Sequence, residues 1–274
     1  MPITFASICP HPPILIPEIG GKEREKIKKT VNALNNLSNI LASKKPETLI
    51  VISPHGLVYP DRMNICGMPL IFGDFGHFGH PEVRFKFTND LRLAEAIDKQ
   101  ANQEGIKTLL YNNGQEVYIL DHGSLVPLYF LTHKLDRPVK LIPVAYSLQD
   151  RRTHFKFGQI IQTVVSSQSS TVGIIASGDL SHRLLPSSPN GYGAEGKKFD
   201  QKLVDLINKK ATDEILYLDE DLVEEAGECG YQSILILLGA LSGVKWEPEI
   251  LSYEGPFGVG YLVCNFKIKI KSKK

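Results

Sequence analysis

Three of the eight histidines in this 274-residue chain follow directly on short apolar runs. His11 stands in Cys-Pro-His-Pro-Pro after the run 3–9, and His55 in Ser-Pro-His-Gly after 48–53. His182 closes Ser-Gly-Asp-Leu-Ser-His after 171–177, and a fourth, His122, sits in Leu-Asp-His-Gly-Ser at the head of a helical segment. Two neutral imidazoles with one anionic donor leave coordination positions open, which suits Fe(II) that must hold a substrate and O₂ together. The same set holds Zn²⁺ with a water in the open position, and a thiolate as the third donor admits copper. That third donor is sought in Glu228 and Cys229, adjacent residues in Ala-Gly-Glu-Cys-Gly-Tyr. Each also has a plainer reading, Glu228 as a charge at a helix N-terminus and Cys229 as a small buried apolar residue. Asp179, three residues before His182, is placed to fix an imidazole's tautomer and raise its basicity, or to serve the turn after Gly178. His182 is then suited to general acid–base work near neutral pH.

For these side chains to meet, the runs that carry them must be neighbouring strands, because ligands in open α/β sheets bind beyond the strand carboxyl ends. The apolar pattern predicts strands at 3–9, 48–53, 82–87, 107–111, 140–146 and 171–177, with a closing pair at 250–253 and 259–266. Helices are expected at 21–42, 89–103, 123–134, 150–166, 197–209 and 230–241. Continuous apolar strands alternating with helices predict an α/β fold with a mostly parallel central sheet covered on both faces. No repeat or long linker divides residues 1–274, so one domain is expected, with the metal site at the strand carboxyl ends. The glycine-rich stretch 73–80 is placed to cover a pocket. His77, His80, His133 and His154 are expected in loops or on polar helix faces, while Arg183, Tyr192 and Tyr261 read equally as ligand contacts or as structural residues.

Composition excludes several classes. Lys+Arg number 31 and Asp+Glu 30, so the net charge of +1 gives no electrostatic footprint for a nucleic acid or an anionic membrane. Hydrophobic residues make 42% and charged residues 22%, a globular mix rather than a disordered one. The four cysteines form no C-x-x-C pair, which argues against a zinc ribbon or a disulfide scaffold. No apolar run reaches the roughly 18 residues of a membrane span, and the first residues lack a signal-peptide pattern, so a cytoplasmic protein is expected. Gly191, Gly193 and Gly196 spell G-x-G-x-x-G, but no strand directly precedes them, so no dinucleotide is expected. A hydrolase built on Ser177 or Ser181 lacks an elbow motif. The lysine-rich tail 267–274 reads as a strand end with frayed residues beyond, and a homodimer is the default by general frequency.

Taken in order, the motifs PHPP, SPHG, DFGHFGHPEV, LDHGSLVPLYFL, SGDLSHR, EEAGECGYQS and SYEGPFGVGY carry a resemblance over nearly the whole chain. It resembles the catalytic subunit of class III extradiol ring-cleavage dioxygenases and the Memo-like proteins, and more closely the dioxygenase-like component of the AmmeMemoRadiSam set. The resemblance implies an α/β fold with the metal at one end of the sheet, a small aromatic diol and O₂ as reactants, and Fe(II) held by two histidines and a glutamate. It makes His11 and His55 the metal-binding histidines, His182 the catalytic acid–base and His122 a residue lining the site. The Cys-Gly-Tyr motif resembles the Memo-like pattern with Cys229 at the metal, while Glu228 is the nearest acidic match to the dioxygenase glutamate. Ring cleavage, a Memo-like metal-binding role without ring cleavage, and a zinc hydrolase on the same residues all stand open from the sequence.

Overall fold

The computed structural model describes residues 2–269. Eleven strands run in chain order: β1 (Ile3–Cys9), β2 (Thr48–Ser53), β3 (Met63–Cys66), β4 (Leu70–Phe75), β5 (His80–Thr88), β6 (Thr108–Tyr111), β7 (Val117–Ile119), β8 (Lys140–Ala145), β9 (Val172–Ser177), β10 (Trp246–Glu254) and β11 (Tyr261–Ile268). Eight of them form one sheet in the order β10-β11-β1-β9-β2-β8-β3-β6. Its centre, β1, β9, β2 and β8, is parallel throughout. These runs are largely apolar, and β1, β2 and β9 are buried along their whole length, as strands covered on both faces must be.

Alternation of side chains puts successive residues on opposite faces. Ile50 and Ile52 join a core with the helices Leu91–Gln103, Arg151–Ser166, Ala194–Lys209 and Tyr231–Ala240. Leu49 and Val51 join a second core with Lys28–Lys44 and His122–Thr132. The molecule is thus a single α/β fold with a large, mostly parallel sheet between two helical layers, as the sequence predicts. Among the described residues no helix is long and apolar enough to cross a membrane.

The edges depart from the expected pattern. β11 runs antiparallel to β1 and β10 antiparallel to β11, and β3 runs antiparallel to β8. The strands β3 and β7 carry too few residues for their period to stand out in the sequence, and β4 runs into the glycine-rich stretch 73–80. The half-exposed run expected at 82–87 belongs to β5, which pairs with β4 in a separate three-stranded sheet of order β5-β4-β7. Two short helices, Thr212–Leu216 and Glu220–Ala226, are also unanticipated. Of the lysine-rich tail, Lys267 and Ile268 end β11, and 270–274 lie outside the described residues.

The register brings the strand ends level. Cys9 pairs with Ser177, Ile52 with Ala176 and Ser53 with Ala145, so the central strands deliver their loops to one rim. Beyond β9 the chain crosses the head of the apolar helix so closely that a Cβ on Gly178 would lie 2.1 Å from Gly230 Cα. The obstructing atom is backbone and has no rotamer to yield. Gly178→Ala is therefore expected to destabilise the protein by about 1–3 kcal/mol through overpacking, read as a lowered midpoint of urea unfolding.

Candidate metal centre

His11 follows β1 between two prolines, and its ring is almost fully buried. Its main-chain N–H donates to Asp179 Oδ1 at 3.0 Å, which ties the β1 loop to the β9 loop. Its Nδ1 lies 2.9 Å from Ser177 Oγ, and Ser177 Oγ donates to the carbonyl of Gly123. A hydroxyl has one proton. Since that proton goes to Gly123, Ser177 Oγ accepts from His11, so the His11 ring carries its proton on Nδ1 and leaves Nε2 as a bare lone pair. Nε2 lies 3.0 Å from His55 Nε2.

His55 is held by the end of β2. Its main-chain N–H donates to Ser53 Oγ at 3.2 Å, and Ser53 Oγ donates to Asp121 Oδ1 at 2.5 Å. Asp121 is also the N-cap of the helix His122–Thr132, accepting from Ser124 N at 2.9 Å. That cap orients the first helical residue, His122, whose ring stacks on His55 with centroids 4.2 Å apart. One donor atom from each of His11, His55 and His122 lies within 4.8 Å of the others.

Asp179, His182 and Cys229 close the cluster from the other side. Cys229 Sγ accepts from Asp179 N at 3.3 Å and lies 3.6 Å from His11 Nε2 and 3.7 Å from His182 Nε2. The loop bearing His182 is anchored by main-chain bonds between Leu180 N and Gly260 O and between Gly260 N and Ser181 O. The buried carboxyl of Asp200 secures it further, accepting from Ser181 N at 2.8 Å and Tyr253 Oη at 2.6 Å. Of the two adjacent candidates for the third donor, the structure brings Cys229 to the imidazoles. It does not bring Glu228, whose carboxylate accepts from Tyr231 N at 2.5 Å at the head of the helix Tyr231–Ala240 and borders a different cavity beside Arg151. The helix end favours its charged form, but burial outweighs this and raises the carboxyl to about 7.

Burial governs the charges. It holds His11 well below the ordinary imidazole value of 6.5, and His55, His122 and His182 push it lower still. His55, His122 and His182 are themselves lowered, first by desolvation. The rings are therefore neutral at pH 7, and each keeps one nitrogen with a lone pair. Burial raises Asp179 to about 7 and the Cys229 thiol well above its usual value. A cluster of neutral nitrogens, a suppressed thiol and a suppressed carboxyl lacks one thing, a positive charge at its centre. The donor set fits a divalent transition metal, and two ring nitrogens 3.0 Å apart both lie within reach of one ion bonded at about 2 Å.

A cavity of about 510 Å³ opens from His55 and His122. Its far wall belongs to the three-stranded sheet and its turn, with Asp74, His77, Phe78 and Tyr118, so the glycine-rich stretch 73–80 does border a pocket. Of the other histidines, His80 pairs with exposed Glu82 and His133 bonds its own helix. His154 departs from expectation: it is fully buried, both ring nitrogens bound to main-chain groups of Asp150 and Ser147. Arg183 pairs with Glu225, Tyr192 is exposed and Tyr261 is buried. Sequence reasoning passes over the positioning roles of Ser53, Ser177 and Asp121. Their signals are a serine ending an otherwise apolar strand and an aspartate one residue ahead of a helix.

The family described as the catalytic LigB subunit of aromatic ring-opening dioxygenase matches residues 5–264. A Clostridium acetobutylicum protein is 36% identical over 95% of this chain, and the chain spans 56% of that relative's length. An Escherichia coli protein named 3,4-dihydroxyphenylacetate 2,3-dioxygenase is 22% identical over 90% of this chain and 92% of its own. A MEMO1 family protein of Methanosarcina acetivorans is 28% identical over 44% of this chain and 42% of its own. Among solved structures, an uncharacterised protein of Escherichia coli K12 shares the fold, with a TM-score of 0.66 and 16% identity over 96% of this chain and 99% of that one.

The Asp200 anchor has a measurable signature. Burial raises this carboxyl from 3.8 to about 6, so between those values the folded protein holds a proton that the unfolded chain has released. The contribution of Asp200 to stability is then full below about pH 4 and falls as the pH rises to about 6, by on the order of 3 kcal/mol. Asp200→Asn is expected to flatten this part of the profile, measured by urea unfolding at pH 4, 5, 6 and 7.

Proposed function

We propose that this chain, which belongs to the family of the catalytic LigB subunit of aromatic ring-opening dioxygenases, is a non-haem Fe(II)-dependent oxidoreductase of the extradiol type that inserts O₂ into an aromatic diol. The observation that carries the reading is the bare Nε2 of His11 facing His55 Nε2 at 3.0 Å, with His122 beside them. His11 and His55 would hold the metal, with Cys229 Sγ, 3.6 Å from His11 Nε2, as the third donor. When bound there, the metal supplies a Lewis-acidic, redox-active centre at which diol and O₂ meet.

The chain's own residues do the rest. Ser177 keeps the His11 proton on Nδ1, so Nε2 stays a donor. His182, kept neutral by burial, takes the diol proton on a ring nitrogen and returns it later as a general acid. His122, stacked on His55 where both line the cavity, orients the ring that enters. Asp179 fixes the main chain of His11. The buried side of the cluster keeps water from the far face of the donors.

A Memo-like metal-binding role without ring cleavage is the second reading. It is favoured by Cys229 Sγ standing 3.6 Å from His11 Nε2, since a thiolate donor changes the redox behaviour of a metal. Metal content after anaerobic purification, followed by O₂ uptake with Fe(II) and 4-ethylcatechol, separates the two. About one iron per chain and catechol-dependent uptake are expected. Tightly held zinc or copper with no uptake overturns the dioxygenase reading. His11→Ala and His55→Ala should lose most of the metal while far-UV circular dichroism stays native. His182→Ala should keep the metal and slow turnover by about 10²–10⁴-fold. Ser177→Ala should weaken metal affinity by about 10–100-fold through loss of the bond to His11 Nδ1, read by chelator competition.

A further inference from the structure

The cavity beyond His55 and His122 has a definite charge. Its lining includes two carboxylates, Asp74 and Asp121, and no lysine or arginine. Asp121 receives hydrogen bonds from Ser53 and Ser124 but has no ion-pair partner among the described residues, and neither has Asp74. Arg84 stands opposite Asp74 in the β4–β5 ladder, yet it is exposed and makes no ion pair with Asp74. The walls are aromatic as well, with Phe78, Tyr111 and Tyr118 on the same space. Phe78 meets His122 edge-on at 5.7 Å, and Tyr111 meets Tyr118 at 6.2 Å.

We propose that this cavity selects an aromatic diol whose side chain carries an ammonium group and discriminates against one that carries a carboxylate. The inference rests on the reading that the diol binds at the imidazole cluster, and it adds which diol. With its two hydroxyls at the cluster, the molecule must lay its substituent into the space bounded by Asp74, Phe78 and the two tyrosines. A carboxylate there meets two like charges with no lysine or arginine to receive it, a juxtaposition that interfaces avoid. An ammonium meets carboxylates for charge and aromatic faces for cation–π contact. A plain alkyl substituent meets the aromatic walls alone and falls between.

Three ligands of similar size separate these cases: dopamine, 4-ethylcatechol and 3,4-dihydroxyphenylacetate. Their dissociation constants for the Fe(II)-loaded protein, without oxygen, are to be measured by calorimetry. Dopamine should bind tightest and the carboxylate weakest, with about tenfold or more between them, and the gap should narrow as ionic strength rises. In Asp74→Asn the ratio of dopamine to carboxylate affinity should fall several-fold. Asparagine keeps the acceptor that Asp74 offers Gly76 N at 2.8 Å, so the turn is retained, and metal content checks that the cluster is intact. Equal affinities, preference for the carboxylate, binding of none of the three, or an unchanged ratio in Asp74→Asn overturns the proposal. Binding is read without turnover. The expected order with no O₂ uptake therefore removes the ring-cleavage reading alone, while turnover with the order reversed removes this proposal alone.

Discussion

The single proton of the Ser177 hydroxyl decides what the centre of this molecule can do. Given to the Gly123 carbonyl, it is unavailable to His11, and the imidazole must supply its own proton to the shared bond. The ring's other nitrogen is then a lone pair, buried and aimed at His55. Were the helix His122–Thr132 displaced so that Gly123 no longer received that proton, the hydroxyl would be free to donate to Nδ1 and the lone pair would move to the wrong side of the ring. One short side chain thus ties the tautomer of the donor to the docking of a helix. Both depend in turn on the register that sets Cys9 beside Ser177.

Around that bond the site is built against its own solvation. Burying a polar group without a partner costs free energy, and here imidazoles, carboxyls and a thiol share one pocket. The protein limits this cost by keeping each group neutral: burial holds the imidazoles unprotonated and the acids protonated or nearly so. A helix end stabilises Glu228 and two donors stabilise Asp200. The remaining deficit lies between His11, His55 and Cys229, so the arrangement has more to gain from a cation than from any uncharged ligand.

Much of this was legible because strand ends announce themselves. The apolar runs before His11, His55 and His182 predict a common rim, and the parallel register of β1, β9 and β2 supplies one. The choice between Glu228 and Cys229 was not legible. The two are consecutive residues in a tight passage, and periodicity says nothing about which of two neighbours turns inward. Which side chain faces the imidazoles depends on tertiary contacts, the bond from Asp179 N to Cys229 Sγ and the bond from Tyr231 N to the Glu228 carboxyl. The small sheet was hidden for another reason: β7 is short, β4 runs into the glycine-rich stretch 73–80, and β5 alternates with most of its residues exposed, a pattern that does not distinguish an added layer from an edge. His154 misleads because a histidine on an amphipathic helix reads as polar, whereas here the main chain satisfies both its nitrogens.

The donors come from the large sheet and its helices, and the opposite wall of the cavity from a three-stranded appendage. This division separates two kinds of inheritance. A change in the turn at 73–80 would reshape the cavity wall, yet touch neither the hydroxyl that sets the His11 tautomer nor the strands that hold it. Selection for a new diet can therefore act on the appendage while the capacity to acquire a metal passes unaltered from one descendant to the next.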